Sequence, residues 1–389
     1  MAGEDGDGTV TVKVVQDLDE IPAEHWDACA GPDNPFVSYR FLKALEDSGA
    51  VCSDTGWQPQ HIVIEDDRGL AGAAPCYLKS HSYGEYVFDW GWADAYNRAG
   101  GQYYPKLQVS VPFSPVTGPR LLVRAGEDAP RIRHLLASGL VELAKQTGVS
   151  SLHITFPTEM EWNELGEIGF LQRQGQQFHW TNRGYATFDD FLETLNSRKR
   201  KMIRKEREAA NAEVDIQVLT GDALTAEHMR AFYRFYLNTV DRKWAHAYLN
   251  ERFFQLLRER MADSVVLVMA MHDGDYVGGA LNLRGSDTLY GRNWGCAERF
   301  RMLYFECCFY RGIEYAIDNG LARVEAGAQG PHKISRGYLP SPTYSAHWIR
   351  DRGFREAVED FLRRERVGVE HEMEELGELS PFKRSNEQP

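Results

Sequence analysis

Apolar positions along the chain follow two spacings, and the change from one to the other marks the elements. His61-Ile62-Val63-Ile64 runs into the turn-forming Glu65-Asp66-Asp67-Arg68-Gly69 and emerges as Leu70-Ala71-Gly72-Ala73-Ala74. Val265 to Met271 runs into His272-Asp273-Gly274-Asp275 and emerges as Tyr276-Val277-Gly278-Gly279-Ala280. Both patterns predict a β-hairpin. Spacings of three and four then place Ile132, Leu135, Leu136, Leu140 and Leu143 on one helical face that stops at Gly148 and leads into Ser151-Leu152-His153-Ile154. The same spacing recurs at Leu303, Cys307, Tyr310, Ile313 and Ile317, which stop at Gly320 and lead into Arg323-Val324-Glu325-Ala326. A glycine after the last turn is the expected left-handed terminator. A further helix opens at Thr187, with Asp189 and Asp190 in its first turn and an apolar stripe of Phe188, Phe191, Leu192, Leu195, Met202 and Ile203. A last amphipathic helix spans Phe354 to Leu376, and the polar tail after Ser380 is expected to fray.

Hairpin, further strand, helix and strand therefore appear twice in the same order. That order is the core layout of the acetyltransferase fold, and a chain of 389 residues exceeds what one core accommodates. The predicted fold is α/β (α+β), with two tandem acetyltransferase-type domains, each a mixed, mostly antiparallel sheet flanked by helices. The boundary is placed after Tyr185, giving an N-terminal domain over 1–185 and a C-terminal domain over 186–389 that carries the long last helix.

Composition narrows the chemistry. The formal net charge is −13, which argues against a surface that coats nucleic acid as a whole. No apolar run reaches the roughly 18 residues that a bilayer span needs, and the N-terminus is acidic and glycine-rich, unlike a secretory leader. Six cysteines show no Cys-x-x-Cys spacing, so free thiols, no metal and a cytoplasmic location are expected. There is no Gly-x-Ser-x-Gly elbow, no Gly-x4-Gly-Lys-Ser/Thr loop and no His-Glu-x-x-His helix, which disfavours hydrolase, nucleotidase and zinc-protease chemistry.

Four segments hold candidate chemistry. Residues 325–348 gather Glu325, Gln329, His332, Lys333, Arg336, Tyr338, Tyr344 and His347 in a Gly- and Pro-broken loop after a predicted strand, with Gly327, Gly330 and Gly337 among them. Lys333 and Arg336 suit a phosphate or diphosphate. Upstream, Arg292-x-x-Gly295-x-Ala297 fits a short pyrophosphate pattern. Lys79 to Tyr96, dense in aromatics, offers Glu85 and Asp89 as bases for an amine acceptor and Trp90 as a wall, although a packed aromatic core has equal weight. Residues 198–207 hold seven basic side chains. Of these, Arg200, Lys201, Arg204 and Lys205 suit the phosphates of a tRNA or a nucleotide as well as they suit an ordinary solvated face.

Taken in order, the strings Lys79 to Tyr96, Tyr103 to Leu107, Pro112 to Leu122, Leu289 to Gly295 and Glu325 to Trp348 resemble the bacterial peptidoglycan biosynthesis/recognition proteins, also described as predicted N-acyltransferases. These are Fem-like members of the GNAT superfamily. The resemblance implies two GNAT-like domains and transfer of an acyl group from a CoA-type donor to an amine. Aminoacyl-tRNA-dependent transfer to a peptidoglycan precursor, with tRNA on the basic helix, is the alternative, and a non-catalytic ligand-binding protein is a third reading. The catalytic candidates are His332, Lys333 and Asp89, and the donor-side candidates are Gly327, Gln329, Gly330, Lys333, Arg336, Gly337 and Tyr338, with Arg292 added from the pyrophosphate pattern. Glu85, Trp90, Tyr344 and His347 fall on the acceptor side, and no membrane insertion is expected. Pro331 and Tyr304 depart from the family pattern, where an acidic residue and a histidine are expected.

Overall fold

The structure is a computed structural model that describes residues 11–242, 246–297, 300–328 and 330–383. The chain forms two compact units, one made of residues up to 175 together with 343–366, the other of residues 176–342 together with those from 367 on. This differs from the expected division after Tyr185, because the late segment 343–366 belongs to the first unit.

The first unit begins with β1 (Thr11–Val15), α1 (Ala23–Ala30), α2 (Tyr39–Asp47) and β2 (Trp57–Pro59), then the predicted hairpin of β3 (His61–Asp66) and β4 (Gly69–Ala74). Pro75 has no N–H to continue a ladder, and past it the chain enters a second sheet as β5 (Cys76–Lys79). Next come α3 (Trp90–Arg98), β6 (Lys106–Val109), β7 (Leu122–Val123), α4 (Ala129–Thr147), β8 (Ser151–Thr155), α5 (Glu159–Glu167) and the start of β9 (Leu171–Thr181). β6 and β8 run parallel, joined over α4. Asp128 caps the start of α4, and Gly148 ends it at φ 74°. Its predicted face holds: Ile132, Leu136, Leu140 and Leu143 pack with Ile62, Ile64, Leu152 and Ile154 in one core. Burying a side chain such as Leu140 contributes about 2 kcal/mol.

The second unit continues through α6 (Phe188–Thr194), α7 (Ser197–Asn211), β10 (Asp215–Leu219), α8 (Ala226–Arg242), α9 (Glu251–Met261), β11 (Val265–His272), β12 (Asp275–Arg284) and β13 (Thr288–Cys296). A helical stretch follows as α10 (Leu303–Phe305), a π turn at Glu306–Tyr310, and α11 (Arg311–Asp318). After it come β14 (Arg323–Glu325), a 3₁₀ turn over Pro331–Arg336, β15 (Leu339–Ile349) and α12 (Arg352–Glu378). β10 to β13 are antiparallel neighbours, β14 lies parallel to β13, and His179–Thr181 of β9 closes this side. The duplication read from the pattern is present: each unit carries a hairpin and a parallel strand pair crossed over by a helix, and the fold is a tandem of two GNAT-like domains.

Local expectations differ at three places. The helix from Thr187 breaks after Thr194, because Asn196 turns its side chain to cap Lys199 and starts α7 afresh. The region 325–348 is not one loop, since residues from Leu339 on form β15, whose Ser345–Ile349 pair with β8. The tail is anchored as far as Phe382: the Pro381 carbonyl accepts from Asn196 N at 2.9 Å, and Phe382 joins the core of Phe191, Leu195 and Ile203.

Gly295 shows how tightly the second unit packs. A methyl group there would lie 2.1 Å from the Phe235 carbonyl oxygen of α8, which cannot yield as a side-chain tip would. Gly295→Ala is expected to cost stability at the upper end of the about 1–3 kcal/mol typical of overpacking, read as a lowered urea midpoint at unchanged m-value.

Candidate functional site

In the first unit, antiparallel pairing of β5 with β6 sets Lys79 directly opposite Lys106, and neither ammonium reaches solvent. Two like charges across a dry ladder repel. The segment between the strands resolves this by sending Glu85 and Asp89 inward. Lys106 Nζ donates to Glu85 Oε2 at 2.7 Å, to Ser82 Oγ at 2.8 Å and to Asp89 Oδ2. Lys79 Nζ sits 3.6 Å above the Trp57 ring and 3.8 Å from Glu85 Oε1. Burial would raise Asp89, but the Lys106 charge and the Lys106 hydrogen bond outweigh it and hold the carboxyl below its ordinary range. Burial dominates at Glu85 and raises it to about 7. At Lys79, burial lowers the ammonium to about 7 against the pull of Glu85. Burial thus draws the two groups' pKa values toward one another.

A neutral chain of hydrogen bonds continues from this cluster. Tyr103 donates its hydroxyl to Asp89 Oδ2 at 2.6 Å and lies 3.3 Å from His153 Nε2, which is also 2.8 Å from Ser151 Oγ. Cross-strand pairing of β8 with β15 puts His153 opposite His347, their Nδ1 atoms 2.7 Å apart. Burial, then the Lys106 charge, lowers His153 to about 3, and burial together with His153 pushes His347 well down. Both rings are neutral, so one Nδ1–H donates to the other.

In the second unit, β13 and β14 pair only at Thr288–Tyr290 with Arg323–Glu325, and β13 then runs on from Gly291 to Cys296 as the strands part. A register shift after Leu281 makes Arg292 the extra residue of a bulge in β13. Gly291 lies where the strands separate, and a methyl there would be 3.2 Å from the Glu325 carbonyl. Beyond β14, Lys333 is buried and donates to the carbonyls of Ala326 and Gly327. Burial lowers it to about 8. Arg336 stacks 3.5 Å over Phe305 and makes a bidentate pair with Glu206 of α7 at 2.7 and 2.8 Å. Of the titratable side chains from Glu325 to Tyr338, His332 is the exposed one. Its ring packs against Tyr304, Phe305 and Phe309, and Tyr304 in turn meets Trp294 of β13. Burial, then the Arg336 and Lys333 charges, lower its pKa.

These positions sort the predicted residues. Asp89, Glu85 and His347 join one buried network in the first unit, where Trp90 stands at the start of α3 and Tyr344 packs on Trp162. His332, Lys333, Arg336, Gly327, Gly330, Gly337 and Tyr338 lie along one segment of the second unit, and Gln329 lies outside the described residues. Tyr338 is buried and donates to the Phe309 carbonyl, and Gly337 turns at φ 91° against Phe191, so both serve packing. Arg292 is on β13 rather than at a helix start, and Gly295 pairs with Gly279 inside the sheet, so the pyrophosphate pattern has no phosphate turn here. Arg336 is neutralised by Glu206, which removes it as a freely offered phosphate ligand. On α7, Arg200 pairs with Glu193 and Arg204 with Asp189, whereas Lys201 and Lys205 face solvent. The sequence reading missed Lys79, Lys106, Tyr103, His153 and Glu206 as site residues. Lysines ending or opening short apolar strands were the available signal for the first two.

The fold and the family together define an acyl- or aminoacyl-transferring enzyme, which sets aside the non-catalytic reading. The chain belongs to the FemAB-like family, described as peptidoglycan biosynthesis/recognition, which it matches over residues 17–384. No curated protein matches it. Among solved structures it is similar to FemX, at 12% identity and a TM-score of 0.57, covering 87% of this chain and 98% of that one. It is also similar to the C-terminal domain of a putative lysylphosphatidylglycerol synthetase from Agrobacterium fabrum, at 10% identity and a TM-score of 0.53, covering 87% and 96%. A conserved protein of unknown function from Bacteroides thetaiotaomicron follows at 10% identity and a TM-score of 0.52, covering 88% and 100%. Among the described residues, no helix is long and apolar enough to cross a membrane.

Two predictions follow from the buried cluster. Lys106→Met strands two carboxylates in the core and is expected to cost about 3–5 kcal/mol in urea denaturation, most of it recovered by adding Glu85→Gln and Asp89→Asn. Glu85 is raised in the fold, so the native state holds the extra proton between its ordinary value of 4.5 and about 7, and its contribution to stability falls as pH rises through that window. Lys79 is lowered, so its contribution rises between about 7 and 10.5. Stability measured against pH is expected to dip near neutrality, with Glu85→Gln flattening the acidic side and Lys79→Met the alkaline side.

Proposed function

We propose that the chain is an N-acyltransferase that takes an acyl group from a CoA-type thioester and passes it to an amine of a peptidoglycan-derived acceptor. The observation that carries this reading is the parting of β13 from β14 beside His332. The stretch of β13 past its last pair with β14 suits the slender, amide-bearing arm of a CoA-type thiol carrier lying as an added strand, with the thioester near the bulge at Arg292. Lys333 supports the reading as a positioning group, because its bonds to two successive carbonyls set the peptide planes of the segment facing that stretch. A neutral, exposed His332 can take the proton that an attacking amine must lose. The carbonyl carbon then gains the C–N bond as the C–S bond breaks, and the sulfur leaves as a thiolate that takes up the proton His332 has accepted. Such donors are cytoplasmic, which is where this reading puts the reaction.

Aminoacyl-tRNA is the second donor to test, because Lys201 and Lys205 on α7 leave cationic charge at the surface of an acidic chain. Turnover with acyl-CoAs and a simple amine is expected, with His332→Gln lowering kcat/KM about 100-fold or more. The acidic limb of the wild-type profile should lie below 6.5, the ordinary histidine value, and vanish in the variant. Transfer from charged tRNA but not from acyl-CoA, lost in Lys201→Ala/Lys205→Ala and steeply weakened by salt, would overturn the CoA assignment.

A further inference from the structure

Glu206 of α7 sits where three elements meet. Its Oε2 accepts from the Tyr310 hydroxyl of the π turn and from Arg336 Nε at 3.2 Å, while Arg336 Nη2 reaches both carboxylate oxygens, at 2.7 and 2.8 Å. The Arg336 and Glu206 side chains are only 6% and 11% exposed, so each charge is satisfied by the other more than by water. Arg336 also turns toward His332: Nη1 donates to the His332 carbonyl at 2.8 Å, and the guanidinium lies on the Phe305 ring. The imidazole packs on that same Phe305 ring and on Phe309, which precedes Tyr310 in the π turn. Gly330, at φ 98°, leaves space for the imidazole, since a methyl there would stand 2.2 Å from His332 Cε1. One carboxylate therefore binds both segments that frame the ring.

We infer that Glu206 is a positioning residue of the transfer site, holding Arg336 and Tyr310 so that the His332 ring is presented to the incoming amine. The inference rests on the proposed role of His332 as the base.

Two physical effects act together. The first is geometric, because a base must stay within hydrogen-bond reach of the proton it takes. Lys199, about two turns from Glu206 on α7, donates to Ser335 Oγ at 2.8 Å, so the helix grips the 3₁₀ turn at two successive residues. The second is electrostatic. The charged and titratable groups around the imidazole are Arg336 and Lys333 on its own turn and the Tyr304 phenol of α10, and both cations disfavour protonation of the ring. Glu206 offsets the Arg336 charge, which left bare would make the imidazole a poorer proton acceptor. An ion pair that only braced the fold would leave the ring's titration untouched by the sign of the charge removed.

The test is an NMR pH titration of the full chain carrying isotope-labelled histidine, in which the His332 signal, one of 12, is the one absent from His332→Gln. Glu206→Gln leaves Arg336 uncompensated and is expected to lower the His332 midpoint by about half a pH unit, whereas Arg336→Gln is expected to raise it by about as much. Glu206→Asp keeps the charge and is expected to titrate close to the wild type, with the midpoint falling or rising in step with its charge even where Glu206→Gln fails to fold. In transfer from acyl-CoA at neutral pH, Glu206→Gln is expected to lower kcat about tenfold. A ring merely freed from its walls moves toward the ordinary histidine value in both glutamine variants, so midpoints that rise together, or do not move, overturn the inference. Turnover that needs His332 but is indifferent to Glu206→Gln removes this inference alone. Opposite midpoint shifts in a chain whose turnover survives His332→Gln remove the proposed base and leave the coupling of Glu206 to His332 standing.

Discussion

Two lysines facing one another across a dry β-ladder cannot both stay charged without counterions, and the first unit is arranged around that constraint. Lys79 and Lys106 are register partners of β5 and β6, and their repulsion is relieved only when the connecting chain folds back far enough to insert Glu85 and Asp89. The consequences spread outward. Asp89 both anchors Lys106 and stands at the start of α3, Tyr103 reaches it from the strand's approach, and the neutral His153–His347 pair extends the network to the segment that returns late in the chain. Because the acids must point inward, the aromatic residues interleaved with them point outward. The surface of that connecting chain is in this sense dictated by the charges under it.

The second unit meets a different demand with similar means. Its parallel strands part after three residue pairs, and the segment beyond β14 needs holding without a strand partner on that side. Lys333 does this through backbone carbonyls, and Arg336 ties the same 3₁₀ turn to Glu206 on α7. Glu306, fully buried in the π turn, is met by Arg207 and Arg311. Most of the cations that look available in the sequence are thus committed to the fold, and His332 is left as the exposed titratable group of its segment.

Much of the architecture was legible because periodicity is a local property. The hairpins at 61–74 and 265–284, the helices at 129–147 and 303–318 and the strands after them each follow from spacings within a few residues and a glycine stop, and the duplication follows from comparing them. The site was less legible. Asp89, Glu85 and His347 were singled out for their chemistry, but what they touch is Lys106 and His153, residues brought in by strand pairing over separations that no local pattern records. Arg292-x-x-Gly295 matched a pattern while sitting in a strand, since a short motif does not carry its own secondary structure.

The sequence by itself determined the elements, their repetition and the family, because hydrophobic spacing and turn chemistry act between near neighbours. Which cations remain available, which carboxylates are buried, and that residues 343–366 complete the first unit were decided only in three dimensions. Charge pairing and register depend on which strand edges meet, and that is settled by the burial of whole faces rather than by any residue's own neighbours along the chain.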